Sequence, residues 1–250
     1  MGLGGKTAFV TGAAKRLGRI SALALAKAGA DIILHVHTSS ADALVKELHA
    51  IGRQAEIVRG DLSCGAEILR VAEEALARAG KIDVLVNNAA TFFSSPLDTL
   101  TPDVWRQVLR VNLTAPFVFA LRLGRMMRST GGGKIIQLGD WSGQRPVPHY
   151  LPYCVAKGGI HVLTVALAKA LAPQVQINEV VLGPVLPPDN YGAELNRELI
   201  QQTPLRRLGK AEDVARVVCF LAEASEFVTG GAYPIDGGWL ANVPGGTRSL

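Results

Sequence analysis

The amino end of the chain sets a short apolar run, Thr7 to Thr11, directly against a glycine-bearing turn, Thr11 to Gly18, and an apolar helical pattern from Ile20 to Ala28. An apolar run of that length, bounded by glycines, reads as a buried strand. Strand, glycine turn and helix in succession leave few architectures open, and the alternation continues along the chain. Strand patterns at Asp31 to Val36, Ala55 to Val58, Ile82 to Val86, Gly133 to Leu138, Val175 to Val181 and Gly230 to Ile235 are separated by helical patterns. These run from Ala41 to Ala50, Ala66 to Ala79, Thr101 to near Met127, Tyr150 to Leu171 and Ala211 to Ala222. The alternation predicts one α/β domain over 1–250, a doubly wound parallel sheet of about seven strands with helices on both faces. The polar, proline-bounded stretch from Pro187 to Pro204 reads as a lid, at about 186–208, over a crevice at the sheet edge.

Composition narrows the partners. Hydrophobic residues make up 48% and charged residues 19%, which excludes a disordered chain. No apolar run reaches the roughly 18 residues of a membrane span without a charge or a break. Lys6 comes early and a strand follows it, so no signal peptide is expected and a cytoplasmic location is. Cys64, Cys154 and Cys219 are widely spaced, with neither a disulfide frame nor a metal-ligand spacing. The formal charge of +5 suits an anionic ligand. Nucleic acid is not expected, because no basic cluster carries interleaved aromatics.

The glycine turn has the context that gives such a turn meaning. Gly12 permits a tight turn, Gly18 lets the helix sit close to the strand, and the backbone N–H groups around Lys15, Arg16 and Leu17 can take a pyrophosphate at a helix N-terminus. A site for NAD usually places an acid at the end of the second strand, about 20 residues on, to hold the ribose hydroxyls. His37, Thr38 and Ser39 stand there instead, opposite Lys15 and Arg16. A 2′-phosphate is welcome beside such donors, which favours NADP(H). At the third strand end, Gly60-Asp61-Leu62 offers a carboxylate that either accepts from an adenine amino group or caps the next helix. The fourth strand closes in Asn87-Asn88-Ala89-Ala90, where small side chains let a nucleotide approach the backbone.

Tyr153 and Lys157 stand four apart at the start of an apolar helix and share one face. A free tyrosine keeps its proton to pH of about 10, and a nearby ammonium lowers that value, so the pair predicts a proton donor usable near neutrality. Asp140, thirteen residues before Tyr153, is expected at the same sheet edge. Asn112, an amide within an apolar helix, needs partners and marks a kink or a water chain. The long helix that carries Tyr153 is apolar nearly all round, so its outer face is expected to meet another subunit.

Taken together, the turn Thr11 to Gly18, Asn87-Asn88-Ala89, Asn112, Tyr153-x-x-x-Lys157 and Asn178 to Pro184 resemble the short-chain dehydrogenase/reductase family from end to end. The resemblance implies a Rossmann-like fold, a nicotinamide cofactor, Tyr153 as acid/base, Lys157 on the nicotinamide ribose, Asn112 on a proton-relay water and a dimer or homotetramer. The family normally has a serine at position 140. Asp140, the turn Thr11 to Arg19, His35-x-His37-x-Ser39 and Phe92 are similar to the pteridine reductases. By that resemblance Phe92 stacks a pterin, Arg16 reaches phosphate and pterin, and Val185, following Gly183, holds the nicotinamide carboxamide. Ala90, Thr38, Leu182 and Pro187 depart from those relatives' pattern. The expected activity is NADPH-dependent reduction of a C=N bond in a pterin or dihydrofolate. An ionised Asp140 would repel a carbonyl oxygen gaining charge, which favours that reading; the alternative is reduction of a ketone or 3-oxoacyl carbonyl, with Asp140 only a structural replacement.

Overall fold

The structure is a computed structural model and describes residues 2–187, 191–223 and 227–242. Seven strands form one sheet: β1 (Thr7–Val10), β2 (Asp31–Val36), β3 (Ala55–Arg59), β4 (Val84–Asn87), β5 (Gly133–Asp140), β6 (Val175–Leu182) and β7 (Ala232–Ile235). They lie in the order β3-β2-β1-β4-β5-β6-β7, and every pair is parallel. The helices are α1 (Arg16–Lys27), α2 (Asp42–Ala50), α3 (Gly65–Ala79), α4 (Pro102–Leu109), α5 (Ala115–Ser129), α6 (Leu151–Leu171), α7 (Ala193–Gln202) and α8 (Ala211–Glu223). The fold is a single Rossmann-like domain. Its strand order reverses between β1 and β4, which is where such sheets open a ligand crevice.

Side-chain alternation on the strands sorts the core into two layers. Ala8, Val10, Ile32 and Leu34 face a cluster with Ala22 and Leu25 of α1, Leu44 of α2 and Val218 of α8. Phe9, Ile33, Leu85 and Ile135 face the other, with Val71 of α3, Phe119 of α5 and Leu167 of α6. Phe9 and Phe119 meet edge to face at 5.7 Å across that second layer. Because both faces are covered, the central strands read as continuous apolar runs, and that run pattern made them legible.

Two elements differ from the sequence expectation for identifiable reasons. The helix expected from Thr101 to Met127 is three pieces. Thr101 caps α4 by accepting from the Val104 N–H at 3.3 Å, with Pro102 in the first turn. A π-helical stretch, Arg110–Thr114, then separates α4 from α5. Pro116 has no N–H to give to the carbonyl four residues back, and the Ala115 N–H reaches Arg110, five back. β5 is longer than expected, because β6 pairs with it as far as Asp140↔Leu182; Asp140 thus stands on a strand and not in a loop. With its preceding turn, α6 is long and apolar enough to cross a membrane by composition, with a mean hydropathy of 1.4 over Pro148–Leu171. It instead packs its buried face, Ala156, Ile160 and Leu167 included, against the sheet as a core helix. Residues 188–190 of the expected lid lie outside the described residues.

Candidate active site

Seven parallel strands place all their carboxyl ends on one edge, and the candidate residues gather there. At the β1/β4 switch the first turn is tied to the fourth strand. The Thr11 hydroxyl accepts from the Asn88 and Ala89 N–H groups, both at 2.9 Å, and the Asn88 side-chain amide donates to the Thr11 carbonyl at 2.7 Å. Gly12 has a φ of 63°, and a Cβ on Gly18 would stand 2.3 Å from the Gly12 carbonyl oxygen. Both glycines are therefore demanded by backbone geometry. Asn88 serves this turn with its side chain, so only its backbone is left for a nucleotide.

His35 holds the same turn from the other side, a role the sequence did not disclose. The Gly12 N–H donates to its Nδ1 at 3.2 Å, and its Nε2 lies 3.1 Å from the Gly60 carbonyl. Burial lowers its pKa to about 4, only partly offset by the Gly60 bond, so the ring is neutral with its proton on Nε2. One imidazole thereby links the ends of β1, β2 and β3. The available signal was the buried run itself: His35 lies within β2, buried on both faces, whereas His37 and Thr38 stand past the strand's end and are exposed.

At the end of β2, His37 Nε2 stands 3.9 Å from Asp61 Oδ2. Asp61 does not cap α3 directly: its Oδ1 accepts from the Ser63 N–H at 2.8 Å, two residues before the helix, and the Ser63 hydrogen bonds hold its carboxyl below the usual range. Leu62 is buried in the core, so a cofactor can touch only its backbone; Leu17 is half-buried against α1's layer. Lys15, His37 and Thr38 are exposed and Ser39 is half-buried. These donors, with the Asp61 carboxyl already engaged, fit a dinucleotide bearing an additional phosphate. Arg16 departs from expectation, because its guanidinium donates to the Leu186 carbonyl and, at 3.1 Å, to the Pro187 carbonyl. It ties the glycine turn to the start of the expected lid. Gly183 lies so close to Asp236 that a Cβ would stand 2.4 Å from the Asp236 Cα. The Val185 N–H closes a γ-turn on the Gly183 carbonyl at 2.7 Å.

The chemistry-bearing group lies between β5 and α6. Tyr153 donates its hydroxyl proton to Asp140 Oδ2 at 3.3 Å. Asp140 Oδ1 accepts from the Ser142 N–H at 2.9 Å and the Ser142 hydroxyl at 2.6 Å. Burial pushes Asp140 above the ordinary carboxylate range, against the pull of Ser142 and Lys157. Lys157 donates to the Leu138 carbonyl at 2.6 Å and stands 5.5 Å from the centre of the Tyr153 ring. The expectation that lysine lowers the tyrosine pKa is overturned. Burial first, and the neighbouring Asp140 second, raise Tyr153 well above 10, while burial lowers Lys157. The ammonium lies over the ring, and the carboxyl group takes the hydrogen bond of the hydroxyl. The Asn112 side-chain amide donates to the Thr91 and Val108 carbonyls, both at 2.9 Å, and its Oδ1 accepts from the Thr91 N–H. That side chain pins the loop after β4 to the π-helical stretch. Phe92 stacks on Tyr150 at 4.4 Å and meets Tyr153 edge-on at 4.8 Å, forming an aromatic wall beside the hydroxyl.

Comparison with known proteins adds to this geometry. A family described as Enoyl-(Acyl carrier protein) reductase matches residues 12–240. The chain is 33% identical over 241 residues to a 3-oxoacyl-[acyl-carrier-protein] reductase of Synechocystis sp., covering 94% of this chain and 97% of that one. A gluconate 5-dehydrogenase from Burkholderia cenocepacia, solved with NADP and tartrate, superposes with a TM-score of 0.88 at 31% identity, over 97% of this chain and 98% of that one. A double mutant of a Serratia marcescens short-chain dehydrogenase/reductase gives 0.89 at 29% identity, over 96% and 100%.

Proposed function

The chain belongs to the short-chain dehydrogenase/reductase family, and from that premise we propose that it reduces a carbonyl group, a ketone or a 3-oxoacyl thioester, with Tyr153 as proton donor. It is an NADP-dependent oxidoreductase, and bound NADPH supplies hydride to the substrate carbon. In this reading the cofactor lies along Gly12, Lys15 to Gly18, His37 to Ser39, Asp61-Leu62, Asn88-Ala89 and Gly183 to Val185. Tyr153 gives its proton to the substrate oxygen as the carbon is reduced. The raised Tyr153 pKa keeps that proton in place until an alkoxide, a stronger base, develops. Lys157 then steadies the tyrosinate.

The observation that carries the carbonyl reading is the similarity, over nearly the whole chain, to a 3-oxoacyl-[acyl-carrier-protein] reductase. An ionised Asp140 would oppose a growing oxyanion. Burial raises its carboxyl above the ordinary range, which lessens that opposition. A second reading, reduction of a pterin C=N bond, is favoured by the pairing of Asp140 with the Phe92 wall. There Tyr153 and Asp140 would protonate a ring nitrogen. The described residues 191–208 serve as a lid over the crevice, and the enzyme assembles as a homotetramer.

NADPH oxidation with ketones, 3-oxoacyl thioesters and dihydropterins side by side tests the proposal. We expect ketone or thioester turnover that falls about a hundredfold or more in Tyr153→Phe and survives in Asp140→Ser. Turnover of dihydropterins alone, lost in Asp140→Ser, would transfer the assignment to the second reading.

A further inference from the structure

Beneath α5 and α6 lies a row of polar side chains that this chemistry leaves unused. Asn87 on β4, Gln137 on β5 and Glu179 on β6 are register partners across the sheet, and all three are buried. Two residues earlier on the same strands, the equivalent row is Leu85, Ile135 and Ile177, all core. Gln137 is wholly buried, and among the described residues neither end of its amide has a hydrogen-bond partner, nor does Asn87 Oδ1. Buried amides left open in this way are sites where ordered water is held.

Glu179 ends the row and opens it outward. Its Oε2 lies 2.9 Å from Nδ1 of His161, whose side chain is 49% exposed. Its Oε1 lies across Gly139, where a Cβ would stand 1.8 Å away, so only glycine leaves the carboxyl this position. His161 follows Lys157 by one helical turn on α6, and the two share a face. The charged groups that act on Glu179 are His161 and Lys157, both from α6; Asn87 and Gln137 are neutral. Burial raises the Glu179 carboxyl and those two cations hold it down, which suits a group that both takes and gives a proton.

We propose that Glu179 and His161, with water held at Gln137 and Asn87, form a proton route that refills Tyr153 through Lys157 from the exposed side of α6. The route rests on the reading of Tyr153 as proton donor. The Tyr153 O–H bond breaks as the product O–H bond forms. Tyrosinate takes a proton from the Lys157 ammonium across an intervening water or hydroxyl, leaving an amine. That amine takes a proton from the Glu179 carboxyl across the held water. The Glu179 carboxylate takes one from the His161 imidazolium, and the imidazole takes one from solvent. Each step exchanges one N–H or O–H bond for another, and nothing is oxidised or reduced.

The test uses proton release on binding of NADP+, followed with a pH indicator in stopped flow, and needs no substrate. The positive charge that bound NADP+ would bring to the proposed cofactor residues would favour loss of a proton from Tyr153 and Lys157. His161→Ala is expected to slow release roughly tenfold or more, with its amplitude and the cofactor affinity unchanged, and added imidazole is expected to restore the rate. Glu179→Gln keeps the shape without the titrating group; it is expected to slow release equally and to be deaf to imidazole. Wild-type rates in both variants, or a slow His161→Ala that imidazole does not restore, overturn the route. Tyr153→Phe is the separate control: release that persists in it removes the donor reading and not the route alone.

Discussion

A neutral imidazole at His35 joins three strand ends, and its proton affinity ties the cofactor edge to pH. The folded ring titrates at about 4, below its ordinary 6.5. Between those values the unfolded chain binds a proton that the folded chain does not. The contribution is therefore intact above pH of about 6.5 and is lost as pH falls toward 4, up to about 3 kcal/mol in all. Denaturant titrations of wild type and His35→Asn across that range check this. The variant's stability is expected to start lower and slope less with pH, and parallel slopes would refute the assignment. The residue scale also shows the limit of reading motifs. Tyr153, Lys157 and Asp140 were legible because helical spacing and a strand end bring them together locally. His35 was not, because its partners, Gly12 and Gly60, lie 23 and 25 residues away and meet it only across the sheet. For the same reason the sense of the Tyr153 shift was misjudged: spacing puts lysine near tyrosine, but burial and Asp140 decide the sign.

At the scale of elements, the glycine turn and α1 work as one unit. Replacing Gly18 by alanine sets two effects against each other. Alanine gains about 1 kcal/mol of helix propensity. Its Cβ, however, would lie 2.3 Å from the Gly12 carbonyl oxygen and 2.6 Å from the Asn88 amide nitrogen. Backbone cannot yield there without moving α1 off the β1/β4 switch, so the clash, about 1–3 kcal/mol, outweighs the propensity. Gly18→Ala is expected to lower the melting temperature and to weaken NADPH binding together, measured by thermal scans with and without cofactor. An unchanged melting temperature would show that the turn has room to spare. The break between α4 and α5 is a second case in which local chemistry shapes an element. Pro116 was visible in the sequence, but its consequence, a π-helical stretch with Asn112 clamped to Thr91, depends on the loop after β4 lying alongside.

At the scale of the whole molecule, α6 carries the proposed catalytic pair, Tyr153 and Lys157, on one face and exposed apolar surface on another. Val155 and Val162, seven residues apart, are 44% and 68% exposed, and Phe117 of α5 is also exposed. Exposed apolar residues grouped on packed helices mark an association surface, which supports the proposed homotetramer. Val162→Asp is expected to reduce the mass seen by light scattering at unchanged folded content; an assembly of unaltered mass would place the interface elsewhere. The sequence by itself determined the alternation of strand and helix, hence the parallel sheet and the edge on which its ligands gather, because periodicity and turn chemistry are local properties. It also determined which residue types stand at positions 140, 153 and 157. Tertiary structure alone decided what those residues are chemically. Desolvation, the lodging of Asp140 between Ser142 and Tyr153, and the buried row from Asn87 to Glu179 all arise from groups far apart in the chain, and proton affinities follow the surroundings that packing creates.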